Sequence, residues 1–196
     1  MKDYLVIQIR ELAETAKGLA FVDTVRRNFS CPKNADITQF LRDNAVEFAQ
    51  RSVSVTHLVV DSSDRSCLGY FTLAHKAFPI CANALSKTKV KKIERFAKFD
   101  SRLDAYIASA FLIAQLGKNY AVEGGKRITG AALLQLAFDE LKLAEREIGG
   151  KIVCVECTES NTILELFYER NGFFKAGRRV SESDGHAYTQ YLTFLK

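Results

Sequence analysis

The period of the apolar residues changes several times along this chain, and each change marks an element. LVIQIR (5–10) alternates with period two and predicts a strand. After turn-like residues, ADITQFLRDNAVEFAQ (35–50) puts Ile37, Phe40, Leu41, Ala45 and Phe48 on one stripe. That pattern predicts one helix, opened by Asp36 with Gln39 three residues on. HLVVD (57–61) and CLGYFTLAHKAF (67–78), joined by the polar SSDRS, predict a hairpin. DAYIASAFLIAQLGK (104–118) is Ala-rich, and its second half, Phe111 to Leu116, reads as a central strand. A helix follows from about Thr129 to Ile148, with Leu134, Ala137 and Leu141 at helical spacing and Gly149 and Gly150 ending it. KIVCVECT (151–158) is a strand and SNTILELFYERNG (160–172) a short helix. FFKAGRRV (173–180) and HAYTQYLTFLK (186–196) close the chain as an antiparallel pair.

Strands and helices therefore mix without strict alternation. The expected class is α/β (α+β), a mixed and mostly antiparallel sheet flanked by helices. The one clear parallel unit is strand, KRITG turn, long helix, strand. At 196 residues with two prolines and no repeat, the chain suits a single domain, 1–196, with a basic insertion at about 83–102. MKDYLVIQIR carries an early acid and a short apolar run, so neither a secretory signal nor a membrane anchor is expected, and the protein is read as cytoplasmic.

Charge is unevenly spread. The net charge is +5, and residues 87–98, KTKVKKIERFAK, hold six Lys or Arg against one Glu, which leaves 22 cations and 22 acids elsewhere. Val90, Ile93 and Ala97 fall on one helical stripe there, with Phe96 beside it, predicting a basic amphipathic helix over this segment. Such a surface is either solvated or a contact for RNA or an acidic partner. Five cysteines make no disulfide framework. Cys154 and Cys157 form a Cys-x-x-Cys, but on a strand their odd spacing points them to opposite faces, and no second pair completes a metal site. No metal is expected. His57, His75 and His186 share no spacing and read as structural.

The stretch KRITGAALLQ (126–135) carries the chemistry. A helix that begins directly after a strand presents unpaired N–H groups and a positive dipole end. Gly130, Ala131 and Ala132 let an anion approach the main chain, and Arg127 adds a fork suited to phosphate. Two other phosphate loops fail on spacing. The P-loop glycine would fall on Leu112 or Tyr120, and Gly124, Gly125 and Gly130 do not make G-x-G-x-x-G.

Arg127-Ile128-Thr129-Gly130-Ala131-Ala132 resembles the R/Q-x-x-G-x-G/A loop of the GCN5-related N-acetyltransferases. Asn161 followed by LFYERNGF (166–173) is similar to that family's later N…LYxxxGF segment, and the two stand in the family's order. The resemblance implies a V-shaped splay between the fourth and fifth strands, with acetyl-CoA as cosubstrate. Its pyrophosphate would lie on the turn 127–132, and its pantetheine arm in the splay as a false strand. A main-chain N–H near Ala114, Gln115 or Leu116 would hold the oxyanion, and Asn161 would line the cofactor site. Tyr168 takes the family's tyrosine position, whose phenol protonates the departing sulfur. Glu156 is a candidate base through water. Ala132 in place of the commoner Gly, and Lys126-Arg127 in place of Gln-Gly, depart from the pattern and bear on affinity.

The implied activity is direct transfer of acetyl from acetyl-CoA to a primary amine in a ternary complex. NFSC, FLRDNA, HLVVD and LGYFTLA also resemble the acetyltransferase toxins of toxin-antitoxin pairs, which acetylate aminoacyl-tRNA. That resemblance implies tRNA at 87–98, an antitoxin, and a second copy of the chain as partners. A silent fold that binds through its basic segment is the alternative from another class.

Overall fold

The computed structural model describes residues 4–121, 128–159, 161–181 and 185–196. The chain clusters into two compact units, Met1–Ala74 with Ile113–Glu140, and His75–Leu112 with Leu141–Lys196.

In the first unit, β1 (Tyr4–Gln8) pairs antiparallel with β2 (Val55–Asp61), and β2 with β3 (Cys67–Cys81) across a bulge at Val59/Val60. Four helices accompany them, α1 (Ile9–Ala13), α2 (Ala16–Asn28), α3 (Ala35–Asp43) and α4 (Ala45–Gln50). Ile9, Val22, Phe29, Leu41 and Leu58 are buried together with Tyr70, whose hydroxyl donates to the Ile37 carbonyl at 2.6 Å. A polar atom in this core is thus satisfied by a helix carbonyl. The sequence pattern misses α2, because only Val22 and Val25 of its residues are buried and no full stripe forms. Its start is nonetheless capped, by Thr15 Oγ1 accepting from Gly18 N at 3.0 Å.

The helix expected over 35–50 is two helices that meet at Asn44. The apolar stripe survives the break, since Phe40 and Phe48 meet edge-to-face at 5.7 Å, so periodicity alone could not reveal it. The cap is Asn34 rather than Asp36: Asn34 Oδ1 accepts from Asp36 N, and Asp36 sits in the first turn, where its charge suits the dipole.

β3 lies beside β5 (Ala105–Lys118), which is strand over its full length rather than in its second half alone. Gly69 makes this approach possible, because a Cβ there would come within 2.7 Å of the Gly117 carbonyl oxygen.

The second unit contains α5 (Lys87–Ile93), β4 (Ala97–Asp100), β6 (Ile152–Thr158), α7 (Thr162–Arg170), β7 (Phe174–Val180) and β8 (Ala187–Phe194). β4 pairs antiparallel with β5, β6 with β8, and β8 with β7, while β5 and β6 run parallel. The sheet is thus mixed and mostly antiparallel, as expected. The basic helix stops at Ile93, however, and Ala97 and Lys98 belong to β4. Pairing of Ala97 with Ala108 and of Lys98 with Ile107 overrides the helical stripe. Because β4 adds a strand, KIVCVECT is the sixth and not the fifth. The long helix α6 (Gly130–Ile148) ends at Gly149 and Gly150, both at positive φ (74° and 100°).

Candidate active site

In the first unit the site is the start of α6. Thr129 caps it, with Oγ1 accepting from Ala132 N at 3.1 Å and its carbonyl accepting from Leu133 N at 3.0 Å. The N–H groups of Gly130 and Ala131 have no partner among the described residues, so two donors at the positive end of a 19-residue helix face outward. Ile128 is buried and anchors the turn, while Thr129 is exposed. Lys126 and Arg127 lie outside the described residues.

A second cation, missed by sequence reasoning, reaches this turn. Lys118, the last residue of β5, donates from Nζ to the Ile128 carbonyl at 3.1 Å. The available signal was a lysine closing the strand that feeds the glycine-rich loop. On β5 itself, Ala114 is exposed and Gln115 and Leu116 are half-buried. The parallel register of β5 with β6 covers Ala110, Phe111 and Leu112 against Ile152, Val153 and Cys154, while β5 continues to Lys118.

In the second unit, Asn161 is the N-cap of α7, its Oδ1 accepting from Leu164 N at 3.2 Å. Tyr168 lies two turns along that helix and is 7% exposed. Its ring stands 5.3 Å from Phe173 and 6.2 Å from Tyr191. The α7 terminus fixes Phe173 there, since Phe173 N donates to the Tyr168 carbonyl at 3.0 Å and Gly172 turns at φ 85°. Burial, and next the charge of a Cys157 thiolate, raise the pKa of Tyr168, so the phenol keeps its proton at neutral pH. Its hydroxyl has no hydrogen-bond partner among the described residues.

Glu156 sits in a different setting. Its carboxylate accepts from Arg179 Nε and Nη2 at 3.2 and 3.0 Å, and from Gln190 Nε2 at 2.8 Å. Lys76 Nζ approaches to 3.5 Å. Burial would raise its pKa, but these bonds and charges outweigh burial and hold it below the usual carboxylate range. Cys154 and Cys157 are free, buried thiols, their pKa values pushed up to about 12 and about 11 by burial. No cluster of metal-ligating side chains occurs among the described residues.

This arrangement is similar to the fold of the GCN5-related N-acetyltransferases. Within that fold, the chain is similar to AtaT complexed with acetyl-methionyl-tRNAfMet, at 21% identity and TM-score 0.64, covering 95% of this chain and 94% of AtaT. It is also similar to a bacterial toxin, at 15% identity and TM-score 0.68 over 100% and 92% of the two chains. A Tyr→Phe mutant of KacT matches at 19% identity and TM-score 0.63 over 96% and 94%. No protein-family profile and no curated protein sequence matches the chain.

Proposed function

We propose that the protein is an acetyl-CoA-dependent N-acetyltransferase whose acceptor is the α-amine of an aminoacyl-tRNA. The observation that carries this reading is the near-full-length likeness of fold to AtaT bound to acetyl-methionyl-tRNAfMet, joined to a start of α6 where the Gly130 and Ala131 N–H groups have no partner among the described residues. Solved relatives with bound acetyl-CoA support the cosubstrate. That cosubstrate supplies the acetyl group as a thioester.

The chain's own residues have these roles. Gly130 and Ala131 donate main-chain N–H groups to the pyrophosphate, and Lys118 and Arg127 add positive charge. Ala132 N–H is already engaged by Thr129, so fewer donors are free than the motif alone suggests. The edge of β5 from Ile113 onward accommodates the pantetheine, and a main-chain N–H near Ala114 to Leu116 holds the carbonyl oxygen. Asn161 keeps its Oδ1 on the α7 cap, which leaves its amide N–H as the group assigned to the cofactor. As the new C–N bond forms and the C–S bond breaks, Tyr168 donates a hydrogen bond to the sulfur. Full proton transfer from a phenol of raised pKa to a thiolate of ordinary pKa, about 8.5, runs uphill, so hydrogen bonding is the help that this burial favours.

Glu156 is assigned to holding β7 and β8 beside β6 rather than to proton removal, since its carboxylate is fully engaged and weakly basic. The amine proton passes to water. An amine beside an ester carbonyl is less basic than that of lysine and needs no strong base.

Incubation with isotope-labelled acetyl-CoA and charged total tRNA, followed by mass spectrometry of the acceptors, tests the reading. Label is expected on the α-amine of aminoacyl-tRNA. Label on a small amine or a peptide, with none on tRNA, would overturn this choice of acceptor.

A further inference from the structure

A cleft of about 420 Å³ in the second unit is lined by residues of α5 and by the ends of β6, β7 and β8. None of its residues belongs to the acetyl-transfer machinery assigned above. Its lining contains five cations, Lys89, Lys92, Arg95, Lys151 and Lys196, and no Asp or Glu. Lys151 is neutralised by Glu145 at 2.8 Å. Among the described residues, Lys89, Lys92 and Arg95 have no acidic partner. Unpaired cations gathered on one wall repel one another, and an anion relieves that repulsion.

The floor is aromatic. Phe174 and Phe194 stack at 6.1 Å, and Phe96 stands 6.0 Å from Phe194 while keeping 40% of its surface exposed. Lys89 Nζ lies 4.3 Å from the Phe174 ring centroid and Lys92 Nζ lies 4.0 Å from that of Phe194. Both ammonium groups thus lie against the aromatic floor in cation–π contacts, and no Asp or Glu side chain lines the cleft beside them. Lys89 and Lys92, three residues apart, share one side of α5, and Phe96 stands in the turn that follows the helix. Ile93 is buried.

We propose that this cleft binds an unpaired nucleotide of an RNA strand, with Lys89, Lys92 and Arg95 on the phosphodiester and Phe96 as the stacking surface for the base. An exposed aromatic ring favours a base over an acidic side chain, which would need cations alone. A base held in a duplex hides the face that Phe96 needs, so a single strand is selected. The site deepens the aminoacyl-tRNA reading by naming an unpaired segment as a second contact, yet it stands on its own observation.

The test is fluorescence anisotropy of the full chain with a fluorescein-labelled, unstructured RNA of about ten nucleotides and with a duplex of the same length, across a salt series. Phe96→Ala should weaken the single strand by about tenfold, within the range seen for loss of one stacked base, and leave the duplex within about twofold. Lys92→Ala with Arg95→Ala should weaken both and reduce the single-strand salt slope by about 1.4, from two phosphate contacts. All the substituted residues are exposed, and unchanged acetyl-CoA affinity confirms that each variant is folded. Equal single-strand affinity for Phe96→Ala and wild type overturns the proposal. So does a polyglutamate competitor that binds wild type and Phe96→Ala alike and displaces all RNA, which would mark an acidic protein surface as the partner. Failure of acetyl transfer to tRNA in a protein that still shows the Phe96 effect would sink the activity reading and leave this site standing.

Discussion

The Tyr168 hydroxyl has no hydrogen-bond partner among the described residues and is not one of the fully buried atoms left without one, so it is open to a partner from outside the chain. In Tyr168 the ring is fixed by Phe173 and Tyr191, and the phenol is neutral at physiological pH. Tyr168→Phe should therefore keep acetyl-CoA affinity within about twofold and stability within roughly 1 kcal/mol, while turnover falls by roughly two to three orders of magnitude, the range for losing one hydrogen-bond donor to developing charge. Pre-steady-state kinetics with purified aminoacyl-tRNA would show this, and wild-type turnover would reduce Tyr168 to a packing residue. Glu156→Gln should do the reverse. Turnover should stay within about threefold if the carboxylate serves structure as proposed, while unfolding becomes easier by roughly 1–3 kcal/mol as Arg179 and Lys76 lose its negative charge. A hundredfold loss of turnover at full stability would restore Glu156 as the base. Tyr168 was legible in the chain because LFYERNGF carries its own context within a few residues. The surroundings of Glu156 were not, since Arg179, Gln190 and Lys76 are 23, 34 and 80 positions away.

At the scale of elements, what could be read locally was read well. The helix α6 and its stop at two glycines, the short helix α7, and the β7/β8 pair all follow from a period plus a terminator within the same stretch. What failed was decided at a distance or by a weak stripe. The basic helix is cut short because β4 finds β5, and α2 buries too little to show a pattern. The start of α6 is the element to which the proposed cosubstrate is assigned. Gly130→Leu should abolish acetyl-CoA binding by calorimetry and leave the far-ultraviolet circular dichroism unchanged, since Leu is a good helix former and the position is partly open. Thr129→Ala removes the cap on Ala132 N and should cost about 1 kcal/mol of stability. It also frees a third donor, so acetyl-CoA affinity should hold or rise. A fall in affinity with no loss of stability would mean that Thr129 touches the cosubstrate itself.

For the whole molecule, net charge and pH response have separate origins. The excess of cations sits in residues 87–98, whereas the pH response expected between 7 and 5 rests on one buried imidazole. His57 is 4% exposed, stacks on Phe71 at 4.9 Å and 14°, and faces Glu140 at 3.8 Å from Nε2. Burial lowers its pKa from 6.5 to about 4. A His depressed in this way binds its proton in the unfolded chain first. Its contribution to stability is present above pH 6.5 and is lost progressively as pH falls from 6.5 toward 4, with a ceiling of about 3 kcal/mol. Glu140 acts in the opposite sense, because burial raises its pKa and folding is favoured as it takes up a proton, which moderates the loss near the acid end. Denaturant titrations at pH 7 and pH 5 should therefore show wild type losing about 2 kcal/mol over that interval. His57→Phe keeps an aromatic ring against Phe71 and cannot be protonated, so its stability should change by much less between the same two values. Equal losses in the two proteins would place the acid-sensitive group elsewhere. A wild type that gained stability on acidification would mean that the His57–Glu140 pair closes on protonation and outweighs the burial of the charge.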